Sequence, residues 1–414
     1  MVLLPLYLVF GLFLSLAGAS PISGLSVRDG SFTVSAKRNP SYVPDGRAEY
    51  ARALAKWGAE VPAELQRYVE RVEGQSGSVG AMTISGDREY LTSVGIGTPP
   101  QTLALDLDTG SSDLWVYSTE TNPVDLSNHT HWIPANSSTA KIVPNATWEI
   151  QYGDSSYAYG NVWRDTVTLA GITIPNSTVE SALQVSWKLS SDYDMDGILG
   201  LAFGLESQVS PSQPTLLNDL LLLLESSVFT ADLKWRAEGA YGFGTIDPAR
   251  YNGTIQYVPL IDDAQFWQYN FTGFNVPTAN PTETQTWYLS SWSAIADTGT
   301  TLLMLADDIA AIYYKSIPTA LFNSSIGVYQ FPCSAVLPDF KIGFDGHPGG
   351  AHAMVPGKYI NYTVLEESTS TCMGGIQGNY GQPFAIFGDI FLKSVFTVFD
   401  VGNKRVGFAN KTLT

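Results

Sequence analysis

The sequence carries the tripeptide Asp-Thr-Gly twice, as Asp108-Thr109-Gly110 and Asp297-Thr298-Gly299. Each copy closes a largely apolar run, Leu105-Asp106-Leu107 in the first case and Ala294-Ile295-Ala296 in the second. Alone, such a tripeptide is an ordinary Asx-type turn. Here the repeat extends further. Ile198-Leu199-Gly200 ends 92 residues after Asp108, and Ile386-Phe387-Gly388 ends 91 residues after Asp297. Two elements at nearly one spacing in both halves demand a duplicated lobe, with one acid per lobe at a strand-to-turn junction.

The length of 414 residues suits two or three domains. With 38 Gly, 23 Pro and 12% aromatics, short strands joined by tight turns are expected, and each half has enough apolar residues for a sizeable core. Period-two alternation through Tyr90-Leu91-Thr92-Ser93-Val94-Gly95-Ile96-Gly97 marks a strand, as do Thr166-Val167-Thr168-Leu169 and Phe396-Thr397-Val398-Phe399. Helices are expected over 215–225 and 306–315, and a lobe boundary near 248–256. Charged residues are sparse at 15% and the net charge is −17; no run of Lys or Arg points to nucleic acid.

The amino-terminal segment has a different texture. Val2 to Ala19 holds no charged side chain and ends in Ala17-Gly18-Ala19, a small-x-small cleavage pattern. Residues 1–19 therefore read as a removed signal peptide rather than an anchor, and no later segment is long and apolar enough to span a bilayer. Helical patterns at 47–57 and 63–72, split by Gly58 and Pro62, belong to a propeptide over 20–76. Residues 20–80 carry eight Lys/Arg and seven Asp/Glu, against 14 and 32 in 81–414. A relatively basic helical leader ahead of an acidic β body suggests a prosegment held by charge. Gly74-Gln75-Ser76-Gly77-Ser78 reads as a cleavable linker; a small helical domain that is never removed is the other reading. The lobes then occupy 77–250 and 251–414. An oxidising compartment would join the two cysteines, Cys333 and Cys372. Nine Asn-x-Ser/Thr sequons, at Asn128, Asn136, Asn145, Asn176, Asn252, Asn270, Asn323, Asn361 and Asn410, offer glycosylation sites, of which some are expected to be used.

Two carboxylates converging on one water cannot both stay ionised, because like charges at short range raise one pKa sharply. The pair holds one shared proton over a broad acid range. Its ionised member takes a proton from the water while the protonated member polarises a carbonyl. Water attacks directly, with no covalent adduct. The turns suit this duty: Gly110 and Gly299 let backbone N–H groups approach the acids, and Ser111 and Thr300 place a hydroxyl three residues beyond each.

From about residue 85 onward the sequence resembles the pepsin-like aspartic endopeptidases, especially the secreted fungal enzymes. The matching stretches are Asp108 to Val116 (Asp-Thr-Gly-Ser-Ser-Asp-Leu-Trp-Val), Tyr152-Gly153-Asp154, Asp196 to Phe203, Ile295 to Leu303 and Ile386-Phe387-Gly388-Asp389. The resemblance implies an all-β, bilobal pepsin-like fold with the cleft between two pseudo-symmetric lobes. It implies a catalytic dyad of Asp108 and Asp297, with Thr109 and Thr298 locking the two turns by reciprocal hydrogen bonds. It also implies a β-hairpin flap bearing Tyr152 and Gly153, with Trp115 as the hydrogen-bond partner of Tyr152. Cys333 and Cys372 fall where the family has its second-lobe disulfide. Ser155 stands where the family usually has Gly. In fungal relatives an acid at the position of Asp154 lets the subsite before the cleaved bond accept Lys as well as bulky apolar residues. Lys56, in Ala55-Lys56-Trp57, resembles the family's Lys-aromatic element that reaches the dyad; a solvated helix lysine is the other reading. Asp106 lies on the same strand face as Asp108 and reads as a buried hydrogen-bonded acid, or alternatively as a group tuning the dyad.

Other chemistries have less support. His129, His131, His347 and His352 form no zinc-type motif, and no Gly-x-Ser-x-Gly occurs, so neither a metal nor any other cofactor is expected. A carboxylate-pair glycosidase also needs two acids, but nothing beyond the acids favours it. A non-catalytic binding descendant would show its loss at Asp108, Asp297 or Tyr152, and all three are present. The expected product is a monomeric enzyme acting on polypeptides, inhibited by its own propeptide until acid loosens their ion pairs. It has no membrane anchor and is exported to the medium or to an acidic vacuole.

Overall fold

The computed structural model describes residues 31–38, 45–66, 90–152, 156–169, 171–203, 207–276, 286–366 and 368–413. The signal peptide, the Gly/Ser linker, residues 67–72 of the second leader helix, and Gly153, Asp154 and Ser155 fall outside them. Strands dominate, in sheets of 14, seven and four strands among the described residues. The result is the bilobal, mostly β architecture of pepsin-like enzymes.

Local patterning explains the strands that position the site. Gln101–Asp108 buries Leu103, Leu105 and Leu107 on alternate positions, as a strand with one core face must. It runs parallel to Gly197–Gly200, with Asp108 opposite Gly200. In the second half Trp287–Ala296 ends in the fully buried Ala294, Ile295 and Ala296 and runs parallel to Phe384–Phe387. The near-equal spacings therefore record one crossover made twice. Its glycines are steric requirements: a Cβ on Gly200 would lie 2.5 Å from the Asp113 nitrogen, and one on Gly388 would lie 2.2 Å from the Thr300 carbonyl oxygen.

The 14-stranded sheet runs from the first lobe through Val228–Lys234 and Ala237–Phe243 to Val395–Asp400, Arg405–Asn410 and Asn252–Pro259. Beneath it, Phe229 stacks on Phe399 at 4.6 Å, and Trp267 meets both edge-on. The expected helices are shorter at one end. Leu216–Leu221 is capped by the Thr215 hydroxyl and stops where Leu222 stands in solvent; the other is Asp307–Lys315.

The leader departs from the all-helical expectation. Gly46–Lys56 is helical and capped by Asp45, and 63–66 is a helical turn, but Phe32–Arg38 is a strand. It inserts between Ala237–Phe243 and Tyr90–Ile96. The cause is period-two patterning: Val34 and Ala36 are buried, and Phe32, partly buried on the same face, stacks on Phe243 at 5.1 Å.

Candidate active site

Both acids emerge from the ends of buried strands into tight turns, with Asp108 2% and Asp297 0% exposed. Asp108 Oδ1 accepts the Gly110 N–H at 2.8 Å and its Oδ2 accepts the Ser111 hydroxyl at 2.7 Å. Asp297 has the same arrangement, from the Gly299 N–H at 3.0 Å and the Thr300 hydroxyl. Each turn also lies against the opposite acid. A Cβ on Gly110 would sit 2.5 Å from Asp297 Oδ1, and one on Gly299 would sit 2.2 Å from Asp108 Oδ1. No side chain fits at either place. The turns are joined by their threonines: the Thr109 N–H donates to Thr298 Oγ1 at 3.0 Å and the Thr298 N–H donates to Thr109 Oγ1 at 2.9 Å. Those hydroxyls donate in turn to the Ala296 and Leu107 carbonyls, at 2.9 and 2.6 Å, so each one bridges the two lobes.

One cation meets both acids. Lys56 Nζ is 3.0 Å from Asp108 Oδ1, 3.2 Å from Asp297 Oδ1 and 3.0 Å from Asp297 Oδ2. The leader helix that carries it is pinned nearby: Glu49 accepts the Thr301 hydroxyl at 2.8 Å and the Tyr50 hydroxyl donates to the Gly378 carbonyl at 2.6 Å. Trp57 packs edge-on between Phe266 and Phe384. Burial pushes both acids up and Lys56 pulls both down. For Asp108 the ammonium, the Ser111 hydroxyl and the Gly110 N–H prevail, leaving it below the ordinary carboxylate value. For Asp297 burial, with the charge of Asp108 added, prevails and pushes it up to about 6. Burial disfavours the Lys56 charge, but the two carboxylates outweigh it and raise its pKa.

Above the dyad the strands Lys141–Gln151 and Tyr157–Leu169 form a hairpin closed by the Tyr152 N–H donating to the Ser156 carbonyl at 2.8 Å. The Tyr152 hydroxyl accepts from Trp115 Nε1 at 2.9 Å, and Trp115 is fully buried against Trp148. Asp106 is half-buried; burial and then the neighbouring Asp108 push its carboxyl well up. No hydrogen bond to the Asp106 carboxyl is found among the described residues.

Residues 89–411 match the model of the eukaryotic aspartyl protease family. The chain belongs to that family. It is 40% identical over 393 residues to endothiapepsin from Cryphonectria parasitica, spanning 93% of this chain and 91% of that one. It is 42% identical over 363 residues to aspergillopepsin-1 from Aspergillus fumigatus (87% of each) and 40% identical over 397 residues to penicillopepsin-3 from Penicillium janthinellum (95% and 96%). The protein is thus an aspartic-type endopeptidase, a hydrolase of polypeptides.

The protease has its two cysteines joined as Cys333–Cys372, closing a sequence separation of 39 residues. Of the sequons, Asn128, Asn136, Asn145, Asn176, Asn252, Asn270 and Asn410 are exposed. Asn128, Asn145 and Asn176 sit in the left-handed region typical of turn tips. Asn323 and Asn361 are half-buried, and their amide nitrogens donate to Gln330 and to the Cys333 carbonyl. His129 is buried, stacked on Tyr117 at 3.9 Å, and its ring nitrogens face the Met195 and Ser190 carbonyls. Among the described residues no cluster of His, Cys, Asp and Glu is arranged to hold a metal, and no helix is long and apolar enough to cross a membrane. Sequence reasoning missed Glu180, a buried acid behind the flap. A lone Glu in the strand pattern Thr178-Val179-Glu180-Ser181 gives no signal that it is inside.

Proposed function

We propose that this aspartyl protease is made as a secreted zymogen and cuts peptide bonds at acid pH with a water held between Asp108 and Asp297. The observation that carries the reading is that a single ammonium, Lys56 Nζ, lies within hydrogen-bond distance of both acids. The two carboxyls therefore converge on one small site, and a water takes that place once Lys56 leaves. The pair then holds one proton. One carboxylate removes a proton from the water as its oxygen attacks the peptide carbonyl carbon, and the protonated acid donates to the carbonyl oxygen. The resulting gem-diol collapses as the acid that took the water proton passes it to the leaving nitrogen, the other carboxylate takes a proton from the diol, and the C–N bond breaks. Gly110, Ser111, Gly299 and Thr300 hold the acids, and Thr109 and Thr298 keep the turns in register. Tyr152, hung from Trp115, closes over substrate.

In this reading residues 1–19 are the signal peptide, 20–76 the inhibitory propeptide, and 77–250 and 251–414 the two lobes of a monomer. Acid protonates carboxylates of the body, weakens their pairs with the leader, and permits self-cleavage within about residues 70–80. Bulky apolar residues flank the scissile bond, and Asp154 admits Lys before it. The seven exposed sequons are the ones that carry sugar. Asp108→Asn and Asp297→Asn should each abolish peptide cleavage, and a statine-type peptide mimic should inhibit the parent completely at one molecule per site. Residual activity in both variants would overturn the dyad. If Asp154→Ser leaves cleavage after Lys unchanged relative to cleavage after Phe, the specificity reading fails. A dyad-inactivated chain that matured normally in acid without another protease would exclude self-processing.

A further inference from the structure

A second pair of acids lies behind the flap anchor, apart from the dyad. Asp113 precedes the strand Leu114–Val116, and Glu180 sits on Ile172–Val185, directly opposite Trp115 in the parallel register. Both are essentially inaccessible, at 2% and 1% exposure, and each carboxyl acts on the other at close range. Two ionised carboxylates are acceptors only, so a bond between them needs a proton. Among the described residues Glu180 Oε2 has no hydrogen-bond partner, which an ionised group buried this deeply would not tolerate. Among the described residues no lysine, arginine or histidine acts on either carboxyl. The titratable group set against both is Tyr152 of the flap, which Asp108 also reaches. Burial, with the mutual repulsion of the pair, pushes Glu180 well above the ordinary range, and burial raises Asp113.

The pair is wired to the parts that hold the flap. Asp113 Oδ1 accepts the Gln208 N–H at 2.6 Å, at the head of Val209–Ser210, and that strand pairs with the flap strand at Trp148. Asp113 Oδ2 accepts the Ser112 hydroxyl at 3.0 Å, within the turn that begins at Asp108. The Asp113 carbonyl accepts the Gly200 N–H at 2.8 Å. Between Asp113 and the residue paired with Glu180 lies only Leu114, so any separation of the carboxyls moves Trp115 and its bond to Tyr152.

We propose that Asp113 and Glu180 act as a positioning pair for this protease: one proton between them fixes Trp115 and through it Tyr152, and its loss as pH rises closes the activity window from the neutral side. When the proton leaves to solvent, two buried carboxylates face each other without a cation. Their repulsion is relieved by parting, and water enters behind the indole. The flap tyrosine then loses its anchor while the dyad turns stay intact. This inference rests on the protease reading above.

The test is the pH profile of Glu180→Gln in the acid-activated enzyme. A glutamine amide donates to the Asp113 carboxylate at every pH, so the bond no longer titrates. At pH 4 the variant should keep kcat/KM within about threefold of the parent, while the high-pH midpoint of the profile moves up by about one unit. Asp113→Asn should move the limb in the same direction. A limb that stays in place in a folded variant overturns the proposal. Should either variant fail to fold, the parent itself supplies the answer through the indole 1H–15N resonance of Trp115, assigned by its loss in Trp115→Phe. The resonance should shift and its exchange accelerate across the same pH range in which activity fades; an indole unchanged across that range overturns the pair's role. Because the indole measurement needs no turnover, a chain inactive at every pH would sink the protease reading and still leave this one decided.

Discussion

Thr298 offers a sharp test of how the dyad turns are held, because its hydroxyl serves both lobes at once. Its Oγ1 accepts the Thr109 N–H at 3.0 Å and donates to the Leu107 carbonyl at 2.6 Å, at 6% exposure. Thr298→Val keeps the volume and the β-branch and deletes both bonds. The Thr109 N–H is then buried without an acceptor, costing about 1–3 kcal/mol. The Leu107 carbonyl keeps the distant Tyr241 hydroxyl at 3.5 Å and loses about 0.5–1.5 kcal/mol. The sum is about 1.5–4.5 kcal/mol. Thr298→Ser is the control, since it keeps both bonds and removes one methyl, a loss of about 1 kcal/mol. Urea unfolding of the full-length chain at pH 7, where self-cleavage is not expected, should rank parent, then Ser, then Val. After activation the Val variant should also lose about a hundredfold in kcat as the acids drift from a common water, while Ser stays within a few-fold. A Val variant as stable as the Ser variant would show that these short contacts do not hold the lobes. Thr109→Val combined with Thr298→Val should fall short of the sum of the single losses, because the two hydroxyls serve one network.

Lys56→Met should let a statine-type inhibitor bind the full-length chain at pH 6.5 by calorimetry, where the parent excludes it; equal binding by both would remove Lys56 as the guard of the cleft. Cys372→Ser should destabilise the second lobe by about 4 kcal/mol, the loop-closure value for a separation of 39 residues, and a loss under about 1 kcal/mol would refute it. Asp297 should make stability fall with pH. Its folded value of about 6 lies above the ordinary 3.8, so the folded chain keeps a proton that the unfolded chain has released. The contribution is complete below 3.8 and is lost as pH rises through 6, about 3 kcal/mol in all. Stopped-flow unfolding after a pH jump, read before self-cleavage, should show a steeper fall in the parent than in Asp297→Asn, by this amount; matching slopes would refute it. For the activated protein the melting temperature should be higher near pH 5 than at pH 8, and a steady climb from pH 4 to pH 8 would contradict the charge argument.

The dyad was legible because duplication writes its geometry into the spacing: an acid at a strand end and a glycine 91 or 92 residues on become parallel neighbours in both lobes. The leader strand Phe32–Arg38 was legible in principle, since Phe32, Val34 and Ala36 alternate with polar residues. The stronger helical pattern beside it masks that alternation. Lys56 could not be decided from sequence. A lysine near a helix end is ordinary, and only the packing of Trp57 against Phe266 and Phe384 aims this one at the acids. Glu180 and the partnering of Asp113 are invisible for another reason: the burial of a strand residue depends on which distant segments pack beside it, and here Trp115 pairs with Glu180 and Gln208 bonds Asp113, each remote in sequence from its partner.

The structure also gives the acidic composition a second meaning. From the count alone, 32 acids against 14 bases after residue 80 imply repulsion that grows with pH. The fold adds a local effect of the same sign. Burial raises Asp106, Asp113, Glu180, Asp196, Asp219 and Asp297, so each holds a proton in the folded state that the unfolded chain gives up first. Salt separates the two contributions. Repulsion between surface charges is screened within about 10 Å at 0.1 M salt, whereas the proton affinities of buried acids are screened far less. If the loss of stability toward pH 8 disappeared in 1 M salt, surface charge alone would account for it; the part that survives belongs to the buried acids.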